Sequence, residues 1–314
     1  LQALHARLPM IAVWDDHEFA DNARAQGAYN HDPATQGGWE VRKAAARRAW
    51  EERLPVSSSG SWNSLVVGDL ATLLMLETRV SGRTASPDLY AVPGRGGDFA
   101  DFAAQAWQDD ALRILGEDQE AWLRQALGSA AQRSVWQVAL QSVPMGHAVL
   151  PQAALSWVAA GGKAGADEVA MLVEAGQHGI PFNMDNWGGF PAQRRRILAA
   201  AQAAGANLIV TSGDSHNGWG YHLLHEGRRA GVEIAVPSVT SPGFERWFPQ
   251  EAPDTVARAM IAANPELVFA DTINRGYGTL RLEAEQAALH WILTGSSRIR
   301  DHKAFRKHTK WIEI

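Results

Sequence analysis

Two stretches of sequence predict the architecture of this chain: residues 11–18, IAVWDDHE, and residues 208–217, LIVTSGDSHN. Each begins with an apolar run of strand length and continues directly into aspartate and histidine. An aspartate after a strand often caps the next helix, so either stretch alone would carry little weight. Because ligand sites in open α/β sheets gather beyond the carboxyl ends of strands, the two matched stretches predict one shared metal site at a sheet edge.

Similar apolar runs, many of them rich in β-branched residues, recur along the chain and predict further strands. The predicted strands are residues 10–14, 64–67, 71–76, 135–141, 207–211, 232–239, 278–282 and 287–293, the last two forming a hairpin. Helical patterns fall between some of them, at residues 39–54, 118–127 and 191–204, the last opening with proline at the favoured first position. This alternation predicts an α/β fold in which two sheets of mixed strands pack face to face and are flanked by helices.

Composition and charge restrict the classes of function. The chain has 314 residues, of which 46% are hydrophobic and 20% are charged, and its formal net charge is -5. That charge argues against a basic nucleic-acid surface, and no apolar run approaches the roughly 18 residues that a membrane span requires. The absence of cysteine excludes disulfides and thiolate ligands. Because the sequence begins at Leu1 in a helix-like segment, we expect that an upstream portion is missing.

The motifs then resemble those of one family. Residues 14–18 (WDDHE) resemble the W-D-D-H-E signature of PhoD-like alkaline phosphatases and phosphodiesterases. Further segments are similar to motifs of that family and follow the same order: 48–55 (RAWEERLP), 68–70 (GDL), 75–79 (MLETR), 115–123 (LGEDQEAWL), 185–194 (DNWGGFPAQR), 213–216 (GDSH) and 274–277 (NRGY). The resemblance covers nearly the whole chain. It implies the calcineurin-like metallophosphatase fold, a β-sandwich flanked by helices around a metal centre.

The resemblance also implies roles for individual residues. Asp16, Asp214 and His216 would bind metal ions, and His17 would touch the phosphate or protonate the leaving oxygen. Gln141 stands about where the superfamily has another histidine ligand.

Three further residues are candidates for contacts with the substrate or with the metal ligands: Asp15, Arg79 and Asp185. Arg79 ends a predicted strand and could pair with an active-site carboxylate or a phosphate, with a solvated strand-end arginine as the alternative. Asp185 lies in a loop rich in glycine and tryptophan just before a helix, so it could instead be a helix cap.

The function implied by the resemblance is metal-dependent hydrolysis of phosphate esters by a metal-activated hydroxide, with His17 assisting departure of the alcohol. The implied cofactors are Fe and Ca, with Mn or Zn as alternatives, and the implied partner is a small phosphoester. The implied location is periplasmic or secreted. A phosphodiesterase or phospholipase D-like hydrolase on the same site is an alternative, as is a non-catalytic fragment that keeps only the fold.

The chain also departs from the family pattern. The family's upstream motifs, a cysteine that binds iron and a G-D-x-x-Y segment, do not occur here. Glu77, Gly188 and Phe190 stand where the family has aspartate, aspartate and tyrosine. We therefore expect residues 1–314 to be a metallophosphatase catalytic domain that lacks its N-terminal part and binds metal weakly by itself.

Several residues near the motifs allow two interpretations. Trp187, Trp219 and Trp247 could wall an apolar substrate pocket or be ordinary, partly buried tryptophans. Residues 194–196, three consecutive arginines, are interpreted as the exposed face of a helix, and residues 81–98 as a long loop that borders the site.

Overall fold

The computed structural model describes residues 2–54, 62–94, 98–158, 165–295 and 305–313. Its strands are β1 (Asn63–Val67), β2 (Ala71–Met75), β3 (Trp136–Leu140), β4 (Asn207–Ser212), β5 (Gly218–His225), β6 (Arg228–Ala235), β7 (Leu267–Asp271), β8 (Arg275–Leu282), β9 (Gln286–Thr294) and β10 (Phe305–Glu313). Its α-helices are α1 (Gln2–His5), α2 (Pro33–Gln36), α3 (Trp39–Arg53), α4 (Ala91–Gly94), α5 (Phe99–Ala104), α6 (Glu117–Arg133), α7 (Ala166–Gln177), α8 (Pro191–Ala203) and α9 (Pro253–Ala263). The three helices predicted from the sequence are confirmed as α3, α6 and α8.

Strands β1 to β7 form one mixed sheet in the order β1-β2-β3-β4-β6-β5-β7. Strands β2, β3, β4 and β6 run parallel to one another, whereas β1, β5 and β7 pair with their neighbours in the antiparallel sense. The register aligns Met75 with Leu140 and Leu140 with Thr211. The carboxyl ends of β2, β3 and β4 therefore lie side by side at one edge of the sheet.

The second sheet is antiparallel and has the order β10-β9-β8. It packs on one face of the large sheet through alternate residues of the central strands and of β9, among them Trp136, Val138, Ile209, Ile234, Leu289 and Trp291. The opposite face of the large sheet is covered by helices, through Leu127 of α6, Leu172 of α7, Leu198 of α8 and Met260 of α9. This arrangement confirms the expected pair of face-to-face sheets with flanking helices.

The strand predicted at residues 10–14 is wrong. That segment carries no strand hydrogen bonds, and Ile11 in its middle is 46% exposed. Side chains hold its end instead, because the Trp14 ring packs edge-on against Phe19 and Trp50 and its Nε1 donates to Glu77 at 2.7 Å. The WDDHE motif is thus anchored by an indole and a carboxylate instead of by a β-ladder.

Among the described residues, no helix is long and apolar enough to cross a membrane. The loop expected at residues 81–98 contains the short helix α4, and its residues 95–97 lie outside the described residues.

Candidate metal centre

Three chain segments leave the carboxyl edge of the large sheet and continue side by side. After β3, the Gln141 amide donates to the Thr211 carbonyl at 3.1 Å, and the Gly213 amide donates to the Ser142 carbonyl at 2.8 Å. The hydroxyls of Thr78 and Ser142 lie 2.6 Å apart and share a hydrogen bond. The backbone beyond β2, β3 and β4 is therefore fixed before any functional side chain is considered.

The WDDHE segment meets this edge as a tight turn. The buried Asp16 carboxylate accepts hydrogen bonds from the amides of His17 and Asn22, both at 2.9 Å. The Asp16 carbonyl accepts from the amides of Phe19 and Ala20, both at 2.8 Å. The turn thus holds the Asp16 carboxylate in place through the chain's own backbone.

The GDSH segment has a strained backbone. Asp214 and His216 have φ values of +61° and +59°, a region that residues other than glycine occupy at a cost of about 1–2 kcal/mol each. Such strain persists only where the surroundings impose it, and it concentrates at functional sites. Both residues belong to the metal site predicted from the sequence.

Arg79 lies between these segments and is the most heavily paired residue of the site. Its side chain is fully buried. Nε lies 2.6 Å from Asp15 Oδ1, Nη1 lies 2.5 Å from Asp185 Oδ2, and Nη2 lies 2.9 Å from Asp214 Oδ1 and 3.9 Å from Asp16 Oδ1. Arg79 is thus paired with carboxylates, as one of the two interpretations expected, and one guanidinium bridges four aspartates.

Arg83 is a second buried cation beside this cluster. Its Nη2 lies 2.6 Å from Asp185 Oδ1 and also donates to the Asp185 carbonyl, and its Nη1 donates to the Thr78 carbonyl at 3.1 Å. Its guanidinium carbon lies 5.0 Å from the centre of the Phe190 ring. Asp185 therefore pairs with two arginines, which is more than a helix cap requires.

Glu77 connects the first motif to the loop of Arg79. Its carboxylate accepts from the amides of Arg79, Val80 and Ser81 at 2.7, 2.9 and 2.6 Å, from the Ser81 hydroxyl, and from Trp14 Nε1. The glutamate that replaces the family's aspartate is thus a buried anchor for the turn after β2. It fixes the backbone of residue 79 independently of the Arg79 side chain.

The charges of the site shift its pKa values in opposite directions. Burial, followed by repulsion from Asp15, raises the pKa of Asp214 well above its ordinary value. Burial also acts to raise the pKa of Asp185, but Arg83 and Arg79 outweigh it and hold that pKa below its ordinary value. Burial acts to lower the pKa of Arg79, yet the carboxylates around it, Asp185 foremost, raise it well above the ordinary value.

The carboxylates of this cluster form a group that could hold a metal ion. Asp15, Asp16 and Asp214 each offer one oxygen within 4.8 Å of the others, and Asp16, His17 and Asp21 form a second such group. Within the part of the chain that the structure describes, two buried side-chain amide atoms have no hydrogen-bond partner: Nε2 of Gln141, whose Oε1 accepts from Trp187 Nε1 at 2.7 Å, and Oδ1 of Asn186, which follows Asp185. The donor set of the first group consists of oxygens, which suits hard cations such as Ca²⁺ or Mn²⁺.

The predicted histidines lie at the rim of the cluster. The His17 side chain is 74% exposed, and its Nε2 lies 3.7 Å from Asp21 Oδ1 and 3.8 Å from Asp16 Oδ2. His216 is exposed, stands outside both groups, and has its Nδ1 3.2 Å from the Pro242 carbonyl oxygen. The structure thus brings Asp16 and Asp214 together with Asp15, while ligation by His216 stays a prediction.

Two of the three tryptophans are core residues. Trp187 and Trp219 are 0% and 1% exposed and belong to the core on the helix side of the large sheet. Trp247 is partly buried and packs beside Phe244, with ring centres 6.2 Å apart. The interpretation as ordinary buried tryptophans therefore describes Trp187 and Trp219.

Arg275 was not among the predicted site residues, although it lies in the NRGY segment. It is 1% exposed, and its Nη1 donates to the His216 carbonyl at 3.0 Å and to the Ser241 carbonyl. Its Nη2 lies 3.1 Å from Glu245. Arg275 thereby connects the GDSH segment to the loop that follows β6. In the sequence, only its place in the NRGY motif indicated that Arg275 belongs near the site.

Comparisons with known proteins show which family and fold this chain shares. A family model described as PhoD-like phosphatase matches residues 1–291. Alkaline phosphatase D of Bacillus subtilis (strain 168) is 26% identical over an alignment of 262 residues that covers 77% of this chain and 38% of that protein. A solved structure described as PhoD matches with a TM-score of 0.70 and 21% identity, covering 96% of this chain and 52% of that one, which shows a shared fold. The chain thus spans about half or less of the length of these relatives.

Proposed function

Because this chain belongs to the PhoD-like phosphatase family, we propose that it hydrolyses phosphate esters at the cluster around Arg79. The observation that supports this most directly is the convergence of Asp15, Asp16 and Asp214, whose oxygens lie within 4.8 Å of one another at the carboxyl edge of the sheet. Their surroundings are a buried guanidinium and a strained backbone, both of which are costly without a functional reason.

The residues present fit a hard divalent cation. Asp15, Asp16 and Asp214 supply carboxylate oxygens that lie within 4.8 Å of one another. His216 fits the role of an additional ligand through Nε2. Ligating histidines usually give their other ring N–H to a carbonyl or carboxylate, and Nδ1 of His216 lies 3.2 Å from the Pro242 carbonyl oxygen.

The chain's own residues have separable roles in the proposed reaction. A bound divalent cation would supply Lewis-acid polarisation of the phosphoryl group and lower the pKa of water beside it. Arg79 and Arg83 keep the Asp185 carboxylate ionised and in place. His17, which is exposed beside Asp16 and Asp21, is placed to give a proton to the departing alkoxide.

The experiment that tests this proposal measures metal binding and hydrolysis on the same samples. Mn²⁺ or Ca²⁺ would be titrated into the chelator-treated chain, and turnover would be followed with p-nitrophenyl phosphate and with its bis-ester. We expect Asp16→Asn to weaken metal binding and to lower turnover of both substrates. We expect Asp69→Asn, an exposed aspartate in the turn between β1 and β2, to change neither.

A second variant separates metal binding from proton transfer. His17→Ala should lower turnover strongly while the metal content stays near that of the wild type. Hydrolysis that survives complete chelation, or that is unaffected in Asp16→Asn, would contradict the proposal. If the proposal holds, the ratio of the turnover rates with p-nitrophenyl phosphate and with its bis-ester assigns the chain as a monoesterase or a diesterase.

A further inference from the structure

The guanidinium of Arg79 has two ends with different surroundings. Nε and Nη1 face Asp15 and Asp185 at 2.6 and 2.5 Å. Nη2 faces the other two carboxylates, 2.9 Å from Asp214 Oδ1 and 3.9 Å from Asp16 Oδ1. Asp15, Asp16 and Asp214 are also the residues whose oxygens could hold a metal ion. Nη2 therefore stands among the oxygens to which a cation would bind.

The balance of charge leaves room for a cation at this point. Four buried or half-buried aspartates, at positions 15, 16, 185 and 214, face two buried arginines, at positions 79 and 83. Counted as formal charges, two negative charges remain unmatched within this group, and one divalent cation would balance them. Because like charges confined together repel each other, the cluster gains from a cation of higher charge density than a guanidinium.

Part of the cluster is held by contacts other than the Arg79 side chain. Amides of His17 and Asn22 hold the Asp16 carboxylate, and Arg83 holds Asp185. The Arg79 amide donates to Glu77 at 2.7 Å, so its backbone is fixed separately. The guanidinium can therefore turn away from Asp214 while the Asp16 and Asp185 carboxylates stay close to where they are.

From this geometry we propose that Arg79 is a built-in competitor for the metal site, an inference that rests on the proposed function. In the metal-free protein, Nη2 neutralises Asp16 and Asp214 and keeps them together. A divalent cation takes the place of Nη2 beside Asp16 and Asp214, and the planar guanidinium turns as a unit while Nη1 keeps its contact with Asp185. The N–H groups released from Asp214 are then free to donate to a phosphoryl oxygen, a contact that guanidinium groups make well. Arg79 thus lowers the affinity of the site for metal and prepares it for substrate.

The test is a calorimetric titration of Mn²⁺ into the chelator-treated chain at fixed ionic strength. We expect Arg79→Gln to bind Mn²⁺ at least about tenfold more tightly than the wild type, because the competing charge a few ångströms away is removed. The matched control is Arg83→Gln, which removes an equally buried guanidinium that contacts Asp185 but leaves Nη2 of Arg79 in place. Its gain in affinity should be several-fold smaller than that of Arg79→Gln.

A second measurement tests occupancy directly. In Arg79→Ala, millimolar guanidinium chloride, far below denaturing concentrations, should weaken Mn²⁺ binding by refilling the vacated position, whereas the wild type should not respond. Near-ultraviolet circular dichroism would show whether each variant is folded. If Arg79→Gln does not fold, the Arg79→Ala titrations with and without guanidinium decide the question.

The outcomes separate this inference from the proposed function. If the wild type binds Mn²⁺ and Arg79→Gln binds it equally or more weakly, or if the two glutamine variants gain affinity equally, the competitor role is wrong and the metal site stands. If neither the wild type nor any variant binds Mn²⁺ even at millimolar concentration, where weak binding would still be detected, metal-dependent hydrolysis itself is contradicted. Tighter binding in Arg79→Gln alone, with guanidinium-sensitive binding in Arg79→Ala, supports the competitor role.

Discussion

The WDDHE and GDSH segments show the same pattern of aspartate and histidine, yet different forces hold them. GDSH leaves a paired strand, β4, and its two left-handed residues are kept in place by the surroundings, including the hydrogen bond from Arg275 to the His216 carbonyl. WDDHE leaves no strand, and is held by a side-chain contact of Trp14 with Glu77 and by amides that surround the Asp16 carboxylate. A sheet edge can thus collect carboxylates from a segment that is not part of the sheet.

The largest effect is expected where the two segments share an anchor. Glu77→Ala leaves the amides of the buried residues Arg79 and Val80, the amide of the exposed Ser81 and Trp14 Nε1 without their acceptor. Since each unsatisfied buried donor costs about 1–3 kcal/mol, we expect urea denaturation to show a loss of about 3–5 kcal/mol. Glu77→Asp, which keeps the charge, should lose less. A loss below about 1 kcal/mol in Glu77→Ala would mean that WDDHE is held by other contacts.

Part of this comparison could be predicted from the sequence. Apolar runs gave β2, β3, β4 and the β8–β9 hairpin, and the order of the motifs placed Asp16 and Asp214 in one site. Strand β5 was missed because its glycines carry no β-sheet signal. A Cβ on Gly220 would lie only 3.0 Å from Trp291, so glycine is needed there to admit a tryptophan of the second sheet. That contact joins residues far apart in sequence and has no local pattern.

The arginines show the same limit. Arg79 contacts carboxylates from three other segments, and no spacing in the sequence predicts that set. Arg194, interpreted as part of an exposed helix face, instead lies 2.5 Å from Glu266 and donates to the Met145 carbonyl at 2.7 Å. That prediction was wrong because the acceptors come from the loop after β3 and from the start of β7, which the helical pattern of α8 cannot reveal.

A second prediction concerns the support beneath the GDSH segment. Glu233 of β6 is fully buried, and its carboxylate accepts from Ser212 Oγ and from the amides of Met145 and Gly146. Burial raises its pKa from 4.5 to about 7, against those hydrogen bonds and the charge of Arg194. The pKa of Glu233 is higher in the folded than in the unfolded protein, so the uncharged carboxyl group stabilises the fold. This contribution to the free energy of unfolding is complete below pH 4.5 and is lost as the pH rises through about 7.

Comparing the wild type with Glu233→Gln isolates that contribution. The shift corresponds to roughly 3 kcal/mol, so the stability of the variant relative to the wild type should improve by up to that amount between pH 4.5 and 7. Urea denaturation at several pH values would measure it. A difference that does not change with pH would mean that Glu233 does not titrate in this range. His147 should show the opposite pH dependence. Burial lowers its pKa to about 4, so the stability that its uncharged ring contributes is lost as the pH falls below 6.5.

The third prediction concerns Arg275, whose side chain holds the GDSH segment through the His216 carbonyl. Arg275→Met leaves the carbonyls of His216 and Ser241 without their donor and removes the partner of Glu245. We expect a loss of about 2 kcal/mol, less than for Glu77→Ala because Glu245 is partly exposed and water can replace the arginine. Arg246→Met, an exposed arginine in the same loop, is the control and should be nearly neutral. An equal loss of unfolding free energy in both variants would mean that the contacts of Arg275 do not stabilise the GDSH segment.

The smallest effect is expected from the backbone of the GDSH segment itself. His216→Gly places the residue that tolerates φ +59° where histidine is strained. The Arg275 hydrogen bond is retained, because it uses the backbone carbonyl of residue 216. The relief of strain exceeds the added entropy of the unfolded chain only slightly, so we expect denaturation in metal-free buffer to show a gain of about 0.5 kcal/mol. In Mn²⁺ the sign should reverse if His216 ligates the cation, since bound metal stabilises only the folded state that can hold it. A variant that is more stable than the wild type in both buffers would show that His216 holds no metal.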